Sequence, residues 1–350
     1  MLPRPILGRR PAAALCAMAA GACLVVACSG GSKPVAAPTP TATPTPLPKP
    51  THPALLATLN GLPPAKGPIV VIKVDNATSA RPLQRGFARA PVVYQEVIEG
   101  EATRFAAVFV GGGSPEVGPI RSARDTDIEL LAEYGPVILG FSGANVHVLA
   151  HVDSSPLVGI PEERYGGSYT RRGRRAEANN FYTSTSRLIA AGRHRHHAVG
   201  VRDVGFRFGG ALLGGRGVRG PVTVRFNGAS YVTFHYDAAR HGFVLTQNGR
   251  TMRLADGAVV APQNIVVQFV PVVQGRYHDV LGNNSPDTHS IGTGRAVVFR
   301  DGRRYDGSWR RPTRAAGTHY LTPGGTDIRL RPGGQTWVLL VPTNGRITGS

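Results

Sequence analysis

Residues 29–53 carry Thr-Pro and Ala-Pro pairs so densely that no hydrophobic core can start within them. Proline at this density favours an extended polyproline II chain of about 3.1 Å per residue, so the segment is expected to be a stalk reaching up to roughly 75 Å. The residues before it have the three parts of a secretory signal. Arg4, Arg9 and Arg10 form a positive start, Ala12 to Val26 is a small and apolar run, and Val25-Val26-Ala27-Cys28 has the form of a lipobox. Residues 1–27 are therefore expected to be removed, leaving Cys28 as a lipid-bearing N-terminus held at the outer face of the cell membrane. Two or three acyl chains, at roughly 0.8 kcal/mol per buried CH2, suffice for stable anchoring. The residues after Arg9-Arg10 lack the apolar follow-up of twin-arginine export, which favours general secretion.

Cys16 and Cys23 fall inside the signal, so the exported chain would keep only Cys28. A disulfide, a Cys-ligated zinc site and a cysteine nucleophile are thereby excluded. The formal charge is +19, and loss of the three signal arginines leaves 37 basic against 21 acidic residues. All four lysines (Lys33, Lys49, Lys66 and Lys73) lie near the N-terminus, so the globular charge is carried by arginine. Outside the membrane such a surface meets anionic head groups and wall polymers. Nucleic acid is excluded as a partner by the compartment and by the lack of any recognition signature.

From Ile69 onward the pattern changes to buried strands. Ile69–Val74, Val92–Val97 and Phe105–Val110 are short, β-branched or aromatic, and bounded by Gly or Pro. Ser122–Glu133 reads as a helix with Ser122 as cap, Asn145–Val152 as a short helix, and Ser184–Ala191 as a third. Val137–Leu139 reads as a strand. The Gly-rich residues 209–220 read as a connection, and beyond them strands follow almost without interruption, with Asn248-Gly249 and Asp301-Gly302 as hairpin turns. The expectation is an α+β or α/β first domain over 54–208, followed by a mainly β second domain over 221–345.

Several runs resemble the YerB-like lipoproteins, a family built from two adjoining domains of unknown function. They are Val74-Asp75-Asn76 with Ala80-Arg81-Pro82, Val93-Tyr94-Gln95-Glu96 with Glu99-Gly100 and Thr103-Arg104-Phe105, and Val117-Gly118-Pro119-Ile120-Arg121-Ser122-Ala123-Arg124. In the second half they are Gly292–Ala296, Asp306-Gly307-Ser308-Trp309 and Pro332–Trp337. The likeness spans about 60 to 342. Where the family often has His-Asn, this chain has Asn179-Asn180, so no role for that imidazole carries over. The resemblance implies a lipid-anchored envelope protein and supplies no established activity.

The strongest candidate site gathers Asp75, Arg81, Glu96, Glu99, Arg104, Arg121 and Arg124 beside the first strands. Arg121 and Arg124 are three residues apart, so both can face one side at a helix start. Guanidinium forks grip carboxylate or phosphate in bidentate fashion, and a helix start adds backbone donors. The same residues also suit a structural ion network in which Glu96 and Glu99 pair with the arginines. As paired carboxylates for glycan hydrolysis, Glu96 and Glu99 are handicapped, because a three-residue spacing on a strand points them to opposite faces.

Gly140-Phe141-Ser142-Gly143-Ala144 has part of the nucleophile-elbow pattern, with Ala144 where the second Gly belongs; a tight capped turn explains it equally. His147 and His151 have helical i, i+4 spacing with Asp153 nearby, but no third metal ligand is evident. His194, His196 and His197 lie in a basic loop and are expected at the surface. No cofactor or metal motif is present. The sequence thus favours a non-enzymatic module that binds peptidoglycan, an anionic wall polymer or another envelope protein. A wall-modifying hydrolase and a purely structural interaction lipoprotein are the alternatives.

Overall fold

The computed structural model describes residues 59–63, 66–173, 180–195, 202–210, 213–279 and 282–349. The signal, Cys28 and the stalk lie outside the described residues, as do Asn179, His196 and His197.

The first half contributes strands β1 (Ile69–Asp75), β2 (Val92–Val97), β3 (Thr103–Val110), β4 (Ile138–Phe141), β5 (Val158–Pro161), β6 (Tyr169–Arg171) and β7 (Phe181–Thr183), with helices α1 (Asp125–Leu130), α2 (Val146–Ser154) and α3 (Thr185–Gly192). The second half, among the described residues, contributes strands: β8 (Arg216–Gly217), β9 (Val222–Arg225), β10 (Tyr231–Asp237), β11 (Gly242–Gln247), β12 (Arg250–Thr251), β13 (Asn264–Val270), β14 (Val272–His278), β15 (Asn284–Thr288), β16 (Gly292–Arg300), β17 (Arg303–Arg311), β18 (His319–Leu321), β19 (Thr336–Pro342) and β20 (Arg346–Thr348). Among the described residues the chain is β-dominated, with its few helices in the first half.

Both halves share one sheet of 11 strands in the order β18-β17-β16-β13-β19-β2-β3-β1-β4-β5, with β8 paired to β17. Strand β19, almost the last in sequence, lies parallel to both β13 and β2, with Trp337 opposite Val93. Every residue of β1 and β2 is buried, the signature of strands covered on both faces. One face packs Val70, Ile72 and Val74 against Phe234, Phe243 and Leu245 of a five-stranded sheet, and against Leu188 of α3. The other packs Val71, Tyr94 and Val108 against Leu130 of α1 and Val148 and Val152 of α2. Within the segment read as a Gly-rich connection, Arg216 and Gly217 pair with Arg304 and Arg303.

Three details differ from the sequence reading. The helix expected at Ser122–Glu133 begins only at Asp125 and gives way to a 3-10 turn over Leu131–Tyr134. Residues 119–123 are drawn out instead because they wedge between β1 and β4. Asp75 N–H donates to Pro119 O at 2.9 Å, Arg121 N–H to Lys73 O at 3.1 Å, and Ser142 N–H to Arg121 O at 3.2 Å. The reciprocal cap is Asp127, whose carboxylate accepts from Arg124 N–H at 2.8 Å, rather than a Ser122–Asp125 pair. Helices α2 and α3 stand where expected, capped by Asn145 and Ser184. The run Gly140–Ala144 is the end of β4 and an open turn with Gly143 at φ +80°, and α2 starts only at Val146. It is no nucleophile elbow.

Candidate functional site

Strands β1, β2, β4, β5, β13 and β19 run in one direction, so their carboxyl ends share one edge of the large sheet. Open sheets place ligands at such an edge, where loops diverge. The sequence-predicted charges converge there. Arg104 of β3 lies directly opposite Asp75 of β1 and also opposite Glu96 of β2. Residues in register across antiparallel strands share a face, so the three form one charged rung on the side covered by α1 and α2. One turn of the pleat inward, Lys73 lies on the same face and donates to Glu96 Oε1 and, at 2.7 Å, to Asp127 Oδ1 of α1.

The wedge delivers two more arginines. Arg121 Nε stands 3.1 Å from Asp75 Oδ2, with the arginine side chain 36% exposed and the carboxylate 2%. Arg124 pairs with Glu99 Oε2, whose other oxygen accepts from the Ser285 hydroxyl of β15. Gly118 in the same run is required by contact: an added Cβ would stand 2.5 Å from the Tyr182 ring.

Charge compensation at this edge is uneven. Arg104 is buried and donates to Ser122 O at 3.1 Å, while its Nε has no hydrogen-bond partner. Burial first, and then the neighbouring Arg124 and Arg121, push its pKa down to about 10 despite Asp75. Glu96 is pushed up to about 7 by burial, against the pull of Lys73. Glu99 is held below the usual carboxylate range: its burial acts upward but is outweighed by the hydrogen bond and charge of Arg124. Asp75 Oδ2 and Glu96 Oε2 are likewise buried without a hydrogen-bond partner.

Six of the seven predicted residues therefore meet: Asp75, Glu96, Glu99, Arg104, Arg121 and Arg124. Arg81 turns away, donating to Asn76 O at 3.1 Å and Gln247 O at 3.4 Å, where it ties the edge to β11. Glu96 pairs with a lysine rather than an arginine, which the sequence reading missed. The signal was available: Lys73 interrupts an otherwise apolar strand, and a charge in such a strand needs buried partners. Glu99 sits on the turn beyond β2 and Glu96 is fully buried, so the two do not flank a shared cleft.

Two clefts adjoin the cluster, one on each side of the β14–β15 hairpin. The larger, about 880 Å³, lies between α1, α2 and the hairpin and is lined by Asp125, Glu129, His151, Tyr277 and Asp287. There His151 Nδ1 is 2.9 Å from Asp125, and His147 stacks on Tyr277 at 4.6 Å. His151 also packs on Tyr277, at 5.8 Å, and no group of three potential metal-ligating side chains is placed to hold an ion among the described residues. The smaller cleft, about 640 Å³, is lined by Glu99, Glu101, Arg225, Asn284 and Arg346. No helix among the described residues is long and apolar enough to cross a membrane.

Residues 59–198 match the family model "Protein of unknown function (DUF3048) N-terminal domain", and residues 222–338 match its C-terminal counterpart. YerB of Bacillus subtilis is 24% identical over 279 residues, covering 78% of this chain and 81% of the relative. The crystal structure of YerB protein from Bacillus subtilis superposes with a TM-score of 0.69 at 22% identity, over 83% of this chain and 99% of that one. The second matched segment supplies one end of the large sheet and the first matched segment the other, the two meeting where β19 pairs with β2, and the chain belongs to the YerB-like family built from an N-terminal and a C-terminal domain of unknown function.

Proposed function

We propose that this is an exported, lipid-anchored envelope protein that binds a charged cell-wall component at the carboxyl edge of its large sheet and performs no bond-breaking chemistry. Cys28 carries the anchor and residues 29–53 hold the folded unit away from the bilayer. The Bacillus subtilis relative carries "lipoprotein" in its name, in keeping with the lipobox here. One observation carries the binding role: Arg104, a buried guanidinium with an unpartnered Nε, lies behind the partly exposed Arg121 at the end of the parallel strands. The cluster as a whole sets Lys73, Arg104, Arg121 and Arg124 against Asp75, Glu96, Glu99 and Asp127, so what an incoming carboxylate or phosphate would meet first is the partly exposed fork of Arg121. The Glu99–Arg124–Ser285 contacts connect this centre to the smaller cleft, where a longer ligand would lie.

Incubation with purified peptidoglycan tests the reading. Retention of the protein in the pellet, without release of soluble fragments, is expected. Released fragments would favour a hydrolase, and absence from the pellet would favour a protein partner.

A further inference from the structure

We infer that the smaller cleft, of about 640 Å³, holds a free α-amino acid end, an ammonium and a carboxylate borne by one carbon, of the kind a wall peptide stem presents. The inference rests on the reading above, in which a longer ligand extends into this cleft, and it narrows that ligand to a peptide rather than a phosphate polymer. One wall of the cleft is cationic. Arg225 of β9 and Arg346 of β20 lie directly opposite each other in an antiparallel pair, which brings their Cβ atoms to about 5 Å. Like charges so placed are destabilising, and a ligand carboxylate between the two forks would relieve the repulsion. Arg225 is already oriented: its guanidinium lies 4.7 Å from the centroid of the Tyr231 ring and its Nη1 3.5 Å from Gly228 O. Arg346 is exposed, and neither a hydrogen bond nor an ion pair engages its side chain among the described residues.

The cleft also has one unengaged anionic group. Glu101 is a central residue of the turn that joins β2 to β3, closed by Ala102 N–H donating to Glu99 O at 3.3 Å. Its φ of +56° lies in the left-handed region that favours glycine, a conformation the preceding Gly100, at +63°, takes freely. A glutamate kept in this conformation points to a use for its carboxylate. Asn227 fixes the residue by donating its side-chain amide to Glu101 O at 3.1 Å. A Cβ added to Gly228 would stand 3.4 Å from Glu101 Oε2, so the carboxylate rests beside the same residue that Arg225 reaches. Acid and guanidinium thus converge on Gly228 without pairing, and no ion pair or hydrogen bond engages the Glu101 carboxylate among the described residues. The mixture of signs is selective. A phosphodiester would be repelled by Glu101 and a bare amine by the two guanidinium groups, whereas an amino acid end satisfies all three. The buried side chains of Val97 and Phe226, which also line the cleft, leave apolar surface for the methylenes behind that end.

Titration calorimetry on the full-length protein in neutral detergent tests this with three L-alanyl-γ-D-glutamyl peptides, ending in meso-diaminopimelate, in lysine or in 2-aminopimelate. The side chain of the first ends in an ammonium and a carboxylate on one carbon, that of the second in the ammonium alone, and that of the third in the carboxylate alone. The first should bind about tenfold or more tighter than the other two. Arg346→Ala should remove its advantage over the lysine peptide, and Glu101→Gln its advantage over the aminopimelate peptide. Arg253→Ala, an exposed change outside the cleft and the carboxyl edge, should leave all three affinities unchanged. Glu101→Gly should melt no earlier than wild type and yet lose the same advantage as Glu101→Gln. Arg121→Lys, acting at the edge, should weaken all three peptides alike and keep their ranking. Unchanged affinities in that variant, with the ranking kept, would overturn the edge reading and leave the cleft assignment standing. Equal binding of the three peptides, a ranking that Arg346→Ala and Glu101→Gln leave intact, or no binding of any peptide would overturn the inference, and retention by purified wall would then still report on the edge.

Discussion

Glu133, on the 3-10 turn of the first half, accepts a hydrogen bond at 2.8 Å from the hydroxyl of Thr318 in the second half, and both are buried. The other Glu133 oxygen accepts from Tyr94 at 2.6 Å, and Arg311 approaches to 4.0 Å. A buried carboxylate is tolerated only when so satisfied, and here part of its satisfaction comes from 185 residues away.

The two halves should therefore not fold apart. A fragment covering 54–208 would lose Thr318 and Arg311 from Glu133 and expose the β2 edge that β19 covers. Expressed alone, it should show no cooperative thermal transition by near-UV circular dichroism. Within the whole chain, Thr318→Val should cost roughly 1–3 kcal/mol, the penalty of an orphaned buried acceptor. A sharply melting 54–208 fragment would contradict this.

Glu96 should impose a pH dependence of definite sign. Its pKa is raised to about 7 in the fold, against about 4.3 for an unfolded glutamate. Between those values the native state binds more protons than the unfolded one, so stability from this group falls as pH rises from about 4.3 to about 7. Glu96→Gln removes that contribution. The melting temperature of wild type minus that of the variant should decline across this window and then level off; a flat or rising difference would show that the buried triad does not hold Glu96 as described.

Much of the fold was legible because it follows short-range pattern. The runs Ile69–Val74 and Val92–Val97 became β1 and β2, and the helices expected at Asn145–Val152 and Ser184–Ala191 formed as α2 and α3. The sheet order was not legible, since insertion of Thr336–Pro342 beside Val92–Val97 depends on contacts over 240 residues that no local pattern encodes. The same holds for the site. Charged residues near strand ends marked six of its members, but their partners were set by the wedge of residues 119–123, which replaced the expected first turn of a helix. Lys73 was overlooked because a lone lysine is ordinarily solvated, whereas here every residue around it is buried.

The anchor assignment rests on Val25-Val26-Ala27-Cys28. Cys28→Ala should abolish partitioning into the detergent phase. Unchanged partitioning, with no acyl mass on the wild-type protein, would contradict it.

Removal of residues 29–51 should leave the melting temperature of the soluble protein nearly unchanged, because so proline-rich and apolar-poor a segment has nothing to bury. A drop of several degrees would mean that it packs against the folded unit.

The most direct test of the binding account is wall-pelleting combined with thermal melting of Arg121→Lys. Arg121 stands 3.1 Å from Asp75 with its side chain 36% exposed, so a lysine can retain the charge there while losing the bidentate fork. Reduced retention by purified wall with an unchanged melting temperature is the result expected of a ligand-gripping residue. A clear fall in melting temperature with undiminished retention would make the cluster a structural ion network and contradict the proposed function.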